Sequence, residues 1–329
     1  MLKKNFDVKP QQAMAFLIGE MTYVEQEVLR QPYPEIKYPR IIPIDESAPE
    51  YAQSIAFKTF DFAGKPKLLG TKGRDIPMVE LTSGKGSVSV HTWALGYDYT
   101  LIELGEAMMI ARESRSAAIN LLVEKPAATR QLTEQWLDKV YFVGDDITVD
   151  AKTGLLNDPQ VPVVDIGTLT GSSQTIDQIL AGTDKEVVAQ KLLDLFNNAL
   201  LRVYLTQTNT VYRPTHFLLP PMQYGKIMTT RIPNTDETLM SYIKKVLSQG
   251  GSNIEFEPLL HLTGAGAGGA DRMMVYTRDT KMVKGHMPMR FNLQAPATSN
   301  NVHFESAGIV RTAGTEIRVP KQHLYVDGL

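Results

Sequence analysis

A long polar segment rich in strand-forming residues, 56–99, runs directly into a long helix-forming segment, 100–143. The first segment alternates at its start and ends in a run rich in Val, Thr, Trp and Tyr. This pattern predicts two strands joined by a turn-rich connection, which we call the flap. A lone two-stranded hairpin is marginally stable in water, so the flap has to lie on another surface. The order of the two segments therefore predicts a subunit that packs against copies of itself.

Glycine, proline and cationic residues dominate the connection between the two predicted strands of the flap. We place the first strand at 56–62 and the return strand at 87–99, so that the connection forms a basic tip. The cationic residues predicted at this tip are Lys65, Lys67, Lys72, Arg74 and Lys85. A loop of this length is commonly functional. We therefore favour contact of the tip with an acidic neighbour over the alternative, a solvated loop that carries charge for solubility.

The N-terminal part of the chain reads as an arm. Residues 11–30 carry apolar side chains at spacings of three and four, which predicts an amphipathic helix. Five prolines in residues 31–50 then predict an extended strap that is neither helix nor central strand. The helix packs either on its own subunit or on a neighbour, and both placements stay open. The residues that would contact a neighbour are Met14, Leu17, Met21 and Val24.

The rest of the chain predicts helices mixed with strands. Residues 100–143 have helical spacing, and Pro126 should kink or break that helix. The sequence Thr183-Asp184-Lys185-Glu186 matches a capping box and predicts a helix to about Leu201. Residues 215–221 read as a buried strand stopped by two prolines. Short helices are predicted at 223–230 and 236–247 and strands at 254–262 and 272–277, and the segment 291–320 is predicted to be rich in strands, with a turn at Ala313-Gly314.

Composition narrows the classes of function. The chain has no cysteine among its 329 residues, which excludes disulfides, zinc-thiolate sites, iron–sulfur clusters and cysteine nucleophiles. With 34 basic and 36 acidic residues, the formal net charge is −2 and gives no case for a dedicated nucleic-acid binder or a membrane-surface protein. No window approaches the ~18–20 apolar residues of a membrane span, and no secretory signal is recognisable. We expect a protein made and kept in a cytoplasm, or in something assembled there.

The sequence contains only weak matches to motifs for catalysis, nucleotide binding or metal binding. Residues 264–269 satisfy the pattern G-x-G-x-x-G, but the next element reads as a strand, so a loop between two strands is favoured over a dinucleotide site. The six histidines lack metal-ligand spacing, and hydrogen-bonded structural histidines are expected. The acidic residues after the long helix do not fit a calcium loop; they are Asp145, Asp146, Asp150 and Asp158. We therefore predict no catalytic residue, no cofactor and no metal.

In its order of parts the sequence resembles the major capsid proteins of tailed bacteriophages with the HK-ninety-seven fold, in a branch formerly labelled a domain of unknown function. The resemblance spans essentially the whole chain. The segments that carry it are the flap, the helix segment followed by Gly154-Leu155-Leu156-Asn157, the strand Phe217-Leu218-Leu219-Pro220-Pro221 and the ending 314–328.

The resemblance implies an α+β fold with defined domains. These are an N-terminal arm (1–50), an extended two-stranded loop (51–99), the spine helix of a peripheral domain (100–150), an α/β axial domain (151–285), peripheral strands (286–320) and a C-terminal return to the axial domain (321–329).

The same resemblance implies a structural shell protein and not an enzyme. Copies would form pentamers and hexamers and close into an icosahedral head around non-specifically held double-stranded DNA. The virion would be assembled in the bacterial host cytoplasm without a membrane, and scaffold, portal and decoration proteins would be partners. Two alternatives stay open: an encapsulin-type nanocompartment shell of the same fold, and, more remotely, a nucleotide-binding α/β enzyme.

Overall fold

A computed structural model of the chain describes residues 33–68, 76–113, 121–145, 152–233, 235–249, 251, 253–298 and 300–329, with the side chains of 110–113 and 121 excepted. Some sequence predictions lie outside these residues. They concern the arm helix with Met14, Leu17, Met21 and Val24, the flap-tip residues Lys72 and Arg74, and Asp146 and Asp150 of the acidic stretch.

Helices and strands are mixed along the described chain. The α-helices are α1 Tyr38–Ile41, α2 Leu101–Glu113, α3 Leu121–Phe142, α4 Ile166–Thr170, α5 Ile176–Leu180, α6 Lys185–Leu201, α7 Pro221–Thr229 and α8 Leu239–Ser248. The strands are β1 Ile44–Asp45, β2 Ser54–Ala63, β3 Glu80–Ser89, β4 His91–Thr100, β5 Gly144–Asp145, β6 Lys152–Thr153, β7 Val163–Asp165, β8 His216–Leu219, β9 Glu255–Pro258, β10 Arg272–Tyr276, β11 Val283–His286, β12 Met289–Leu293, β13 Ala297–Thr298, β14 His303–Thr312, β15 Gly314–Ile317 and β16 Leu324–Asp327.

A five-stranded mixed sheet has the strand order β7-β16-β10-β8-β9. Alternate residues of a strand point to opposite faces of a sheet. In β8, Phe217 and Leu219 belong to one buried apolar cluster and Leu218 to another. The same alternation holds for β10 and β16, so both faces of this sheet are buried. The predicted buried strand is confirmed, and Pro220 and Pro221 end it because they start α7.

Helix α6 covers one face of this sheet with a buried stripe. Asp184 caps it, since its carboxylate accepts the backbone N–H groups of Glu186 (3.0 Å) and Val187 (3.4 Å). The predicted capping box was therefore wrong by one residue: the carboxylate one position after Thr183 takes the amides. The predicted end near Leu201 is confirmed, and the chain continues as a π-helix, Arg202–Gln207.

The other face of the sheet meets a cluster that includes α1 and the end of α3. Here a three-stranded sheet has the order β1-β11-β15, with β1 parallel to β11. Tyr38 and Ile41 of α1 are buried in this cluster. The prediction that 31–50 holds no helix is therefore wrong for its described part. Pro39 stands in the first turn of α1, where a missing N–H is tolerated.

Of the predicted kink or break at Pro126, the break is absent, because helix α3 runs without interruption from Leu121 to Phe142. Proline removes one intrahelical hydrogen bond and strains the preceding turn. The later turns of α3 bury Leu137, Tyr141 and Phe142 almost completely. We attribute the continuity of the helix to that burial.

The predicted return strand at 87–99 is wrong, because two strands with different partners share this stretch. Strand β3 pairs with β2 and forms the flap, whereas β4 pairs with β14 in a sheet that also contains β12 and β13. The buried Val90 separates the two strands, and its N–H donates to the carbonyl of Gln53 (2.8 Å). The predicted turn at Ala313-Gly314 is confirmed: Ala313 lies between β14 and β15, and Gly314, the first residue of β15, has φ 73°.

The chain divides into two compact units. One includes Leu95–Gln131 and Leu293–Gly308; in it, Tyr99 stacks on Phe304 with ring centroids 5.3 Å apart. The other comprises Glu35–Ala94, Leu132–Asn292 and Ile309–Leu329 and contains both apolar clusters and the flap. Among the helices that the structure describes, none combines the length and apolar character needed to cross a membrane.

Candidate assembly interface

The flap is a regular antiparallel hairpin. Strands β2 and β3 pair over ten positions, from Ser54 opposite Ser89 to Ala63 opposite Glu80. At about 3.4 Å per residue, this ribbon is about 30 Å long. Among the described strands, β2 and β3 pair only with each other. A ribbon of this kind needs a further surface to be well ordered.

Two glycines that the sequence suggested as turn residues lie inside β3. A Cβ at Gly86 would stand 2.4 Å from the ring of Phe57, and one at Gly84 would stand 2.6 Å from the hydroxyl of Thr59. Glycine therefore lets the side chains of β2 lie across β3, a known way of stabilising a glycine in a strand. Lys85 lies between these glycines, opposite Lys58, so its prediction as a tip residue is wrong.

The two faces of the hairpin differ in chemistry. On one face, which we call the contact face, Lys58 opposes Lys85 midway along the hairpin, and Phe60 and Phe62 with Leu81 follow toward the tip. Phe62 is 73% exposed, and Phe60 and Leu81 are each 59% exposed. The opposite face carries mainly small and polar residues toward the tip. The contact face is thus apolar in its outer half and cationic at its middle.

The outer end of the hairpin extends the apolar surface. A concavity there is lined by Phe62, Ala63, Gly64, Lys65, Pro66, Pro77, Met78 and Val79. Met78 is 78% exposed and Leu68 is 97% exposed. Lys65 and Lys67 are exposed at the same end, as the sequence predicted. The prediction of a basic tip missed the exposed apolar side chains at this end of the hairpin, and such groups of side chains are found at interaction sites.

Two arginines hold the base of the hairpin. Arg311 of β14 is 9% exposed and donates to the carbonyls of Glu50 and Ala52, just before β2. It also donates to the hydroxyl of Thr92, just after β3 (3.0 Å). Arg318 lies 5.0 Å from the centroid of the Phe57 ring. No local motif marks either arginine, since each lies more than 200 positions from its flap partners.

A buried ionisable cluster supports the second arginine. Glu316 accepts hydrogen bonds from Arg318 Nε (2.9 Å) and pairs with His286 Nε2 (2.8 Å). Burial alone would raise the pKa of Glu316, but the hydrogen bonds from His286 and Arg318 lower it below its ordinary value. On β1, Asp45 binds Lys284, and its pKa is lowered in the same way, against the effect of burial. These charges are paired, as buried charges must be.

The glycine-rich loop is filled by the protein itself. Residues 264–269 connect β9 to β10, so the predicted loop between strands is confirmed. Asp327 accepts the N–H of Ala267 (3.0 Å) and binds Arg272 through two nitrogens. A Cβ at Gly266 would stand 2.9 Å from Asp327 Cγ. The amide that a phosphate would use therefore already binds a carboxylate of the same chain.

The histidines have structural environments. His216, His261, His286 and His303 each lie within 4 Å of a carboxylate. His323 is fully buried, its ring nitrogens have no hydrogen-bond partner among the described residues, and burial lowers its pKa to about 4. In the part of the chain that the structure describes, no three His, Asp or Glu side chains are grouped so as to hold a metal ion.

The fold is that of a viral shell subunit. The structure resembles the capsid of Myoviridae phage XM1 with a TM-score of 0.74 at 16% identity, covering 94% of this chain and 98% of that one. It resembles a Mycobacterium phage Ogopogo chain with a TM-score of 0.60 at 12% identity (96% and 98% covered). It also resembles the capsid of a native GTA particle, with a TM-score of 0.58 at 11% identity (96% and 98% covered).

The sequence narrows this class to one family. The family model described as major capsid protein matches residues 64–329. The chain therefore belongs to the major capsid protein family, a family of structural proteins that form virion shells, and the resemblance seen in the sequence is confirmed. This match favours the capsid prediction over the encapsulin and nucleotide-binding alternatives. No curated protein sequence is similar enough to this chain to count as a match.

Proposed function

We propose that this major capsid protein builds the icosahedral head of a tailed bacteriophage, in which pentamers and hexamers of the chain enclose double-stranded DNA. The observation that carries this proposal is the hairpin β2–β3, whose contact face is exposed and apolar. Exposed apolar side chains that are grouped on one face mark sites that another molecule covers. In a shell, that molecule is a neighbouring copy of the same chain.

The neighbouring surface would be apolar and acidic. Helix α2 offers one: Leu101, Ile102, Met108 and Met109 are each at least half exposed. The exposed carboxylates Glu103 and Glu106 lie on the same helix. The apolar part of the contact face would pack on these side chains. Its cations, with Lys65 and Lys67 and also Lys72, Arg74 and Lys85, would lie near the carboxylates, which favours correct orientation over raw affinity.

The remaining parts of the chain take their roles from the family. Residues 151–285 would form the axial domain around which pentamers and hexamers close, and residues 100–150 and 286–320 the peripheral domain. The arm, with Met14, Leu17, Met21 and Val24, would clasp a neighbour. Scaffold, portal and decoration proteins would be partners in the host cytoplasm, and DNA would be held through phosphates without sequence reading. The role is structural and involves no catalysis.

Electron microscopy of the purified full chain tests the shell. Negative-stain images and light scattering on one sample, across salt and protein concentration, should show closed particles or rings of five or six subunits. A species that stays monomeric or dimeric under all these conditions, with and without a crowding polymer, would contradict assembly by this chain alone.

Two matched double variants test the contact face. Phe62→Gln with Leu81→Gln replaces one directly opposed pair on the contact face. Asp61→Gln with Thr82→Gln replaces the adjacent opposed pair on the other face. All four side chains are exposed, so both variants should fold like the parent. Only the first should lose closed particles; equal assembly of both would disprove the role of the contact face.

A further inference from the structure

The position of the outer end of the hairpin depends on the angle at which the hairpin leaves its subunit, so this angle has to be fixed at the base. It is about 30 Å long, so a rotation of about 10° at the base moves its outer end by about 5 Å. Apolar contacts lose a quarter to a half of their attraction over a gap of about 0.5–1 Å. A contact face that rotates by even a few degrees therefore loses its match to a neighbour. Some feature of the subunit must hold the angle before the neighbour arrives.

Arg311 binds both segments that join the hairpin to the subunit. Its guanidinium donates to two backbone carbonyls, of Glu50 and Ala52, on the incoming side, and to the hydroxyl of Thr92 on the outgoing side. It also lies 5.8 Å from the ring centroid of Tyr51. Arginine presents five donors in a planar fork, which one lysine ammonium cannot reproduce. The geometry of this base therefore depends on arginine and not on positive charge alone.

Arg318 gives a second point of attachment further along the hairpin. It lies against Phe57, whose ring is seated over Gly86 of the opposite strand. The guanidinium is itself oriented by the buried carboxylate of Glu316 (2.9 Å). One attachment lets a ribbon swing, whereas two attachments at different distances from the hinge fix its direction.

We propose that Arg311 and Arg318 are positioning residues that set the angle at which the hairpin leaves its subunit, and that shell assembly depends on them through this angle. The statement that assembly depends on this angle rests on the proposed function, whereas the statement that the two arginines set the angle does not. The two statements can therefore fail separately.

Distance measurements between spin labels test the angle directly. Because the chain has no cysteine, Thr82→Cys on the hairpin and Lys281→Cys on the exposed loop before β11 give two unique labels. Double electron–electron resonance on the labelled full chain, diluted with unlabelled protein, reports the distribution of distances between the two labels of one subunit. The parent should give one narrow peak. Arg311→Lys, Arg318→Met and Phe57→Ala should each at least double its width.

The control is Arg40→Lys, which alters an arginine–carboxylate pair of 2.6 Å with Glu257 away from the hairpin. It should leave the width unchanged. Circular dichroism identifies any variant that fails to fold, and the three substitutions span two arginines and one flap residue so that one misfolded variant does not remove the test.

Particle counts by electron microscopy complete the experiment. Broad distance distributions together with at least a fivefold loss of closed particles, in variants that stay folded, support the proposal. Distributions as narrow as in the parent overturn it, whatever the particle counts. Broad distributions with normal particles overturn the dependence of assembly on the angle. A parent that forms no particles contradicts the proposed function instead, and the widths still decide whether the arginines set the angle.

Discussion

Loss of the carboxylate at Asp327 should destabilise the subunit far more than loss of a surface carboxylate with similar pairing distances. Arg272 Nε and Nη2 lie 2.6 and 2.9 Å from the two oxygens of Asp327, and both side chains are at most 10% exposed. Arg272 Nη1 also donates to the carbonyl of Leu156 (2.6 Å). The guanidinium therefore cannot turn toward water without breaking a further hydrogen bond.

The expected magnitude follows from this burial. Asp327→Asn leaves a buried guanidinium without its counter-charge, which typically destabilises a protein by about 3–5 kcal/mol. Asp177 and Lys226 form the matched control, with 2.8 Å between their charged atoms but side chains 47% and 42% exposed. Asp177→Asn should reduce the free energy of unfolding by less than about 1 kcal/mol. Distance is nearly equal in the two pairs, so burial decides the difference.

Urea unfolding followed by tryptophan fluorescence measures both variants. The chain has only two tryptophans, Trp93 and Trp136, and their ring centroids are 4.7 Å apart beside the cluster that contains Tyr325. The probe thus reports on the unit that holds both pairs. A loss below about 1 kcal/mol for Asp327→Asn, or a loss equal to that of Asp177→Asn, would refute the reasoning. Replacing both partners, as Arg272→Met with Asp327→Leu, should recover most of the loss.

Three further predictions concern pH and the glycine-rich loop. Burial lowers the pKa of His323 from 6.5 to about 4, so the free energy of unfolding should fall as pH drops below 6.5, by up to about 2 kcal/mol at pH 5, and His323→Leu should flatten this slope in urea titrations. The pKa of Glu316 lies below its ordinary value of 4.5, so the ionised carboxylate stabilises the fold at pH above 4.5, and this contribution is lost as the pH falls below that value. Glu316→Gln should therefore weaken the decrease of the melting temperature with falling pH in this range. Gly266→Ala should lower the free energy of unfolding by about 1–3 kcal/mol because its Cβ would meet Asp327. Addition of NAD or ATP should leave the melting temperature of the parent unchanged, and a clear upward shift would restore the nucleotide-binding alternative.

Local pattern was sufficient for elements whose signals are local. The strand at 215–221 is a continuous apolar run closed by two prolines, and both signals act on neighbouring residues. The turn at Ala313-Gly314 after β14 depends on a positive φ that glycine adopts without strain. The alternation that places Lys58, Phe60 and Phe62 on one face of β2 was also readable from the sequence.

Long-range packing explains what local pattern missed. Gly84 and Gly86 read as turn residues because glycine is depleted in strands, yet they are in β3 to admit Thr59 and Phe57 from the opposite strand. That error moved the predicted tip inward and placed Lys85 in it. The sequence likewise does not identify Arg311 as a positioning residue, because its hydrogen-bond acceptors lie on segments more than 200 positions away. Tertiary contacts of this kind leave no periodicity to find.

The regular pairing of the hairpin also makes the free subunit prone to aggregation. In a subunit whose hairpin no neighbour covers, the outer edges of its two ten-residue strands pair with no other described strand and lie beside exposed aromatic side chains. Such edges recruit any other extended chain, so productive association competes with aggregation for the same atoms. The directly opposed Lys58 and Lys85 repel each other slightly, but positive charge in a strand disfavours stacking with identical strands. We therefore expect this lysine pair to slow aggregation of subunits whose hairpin is uncovered.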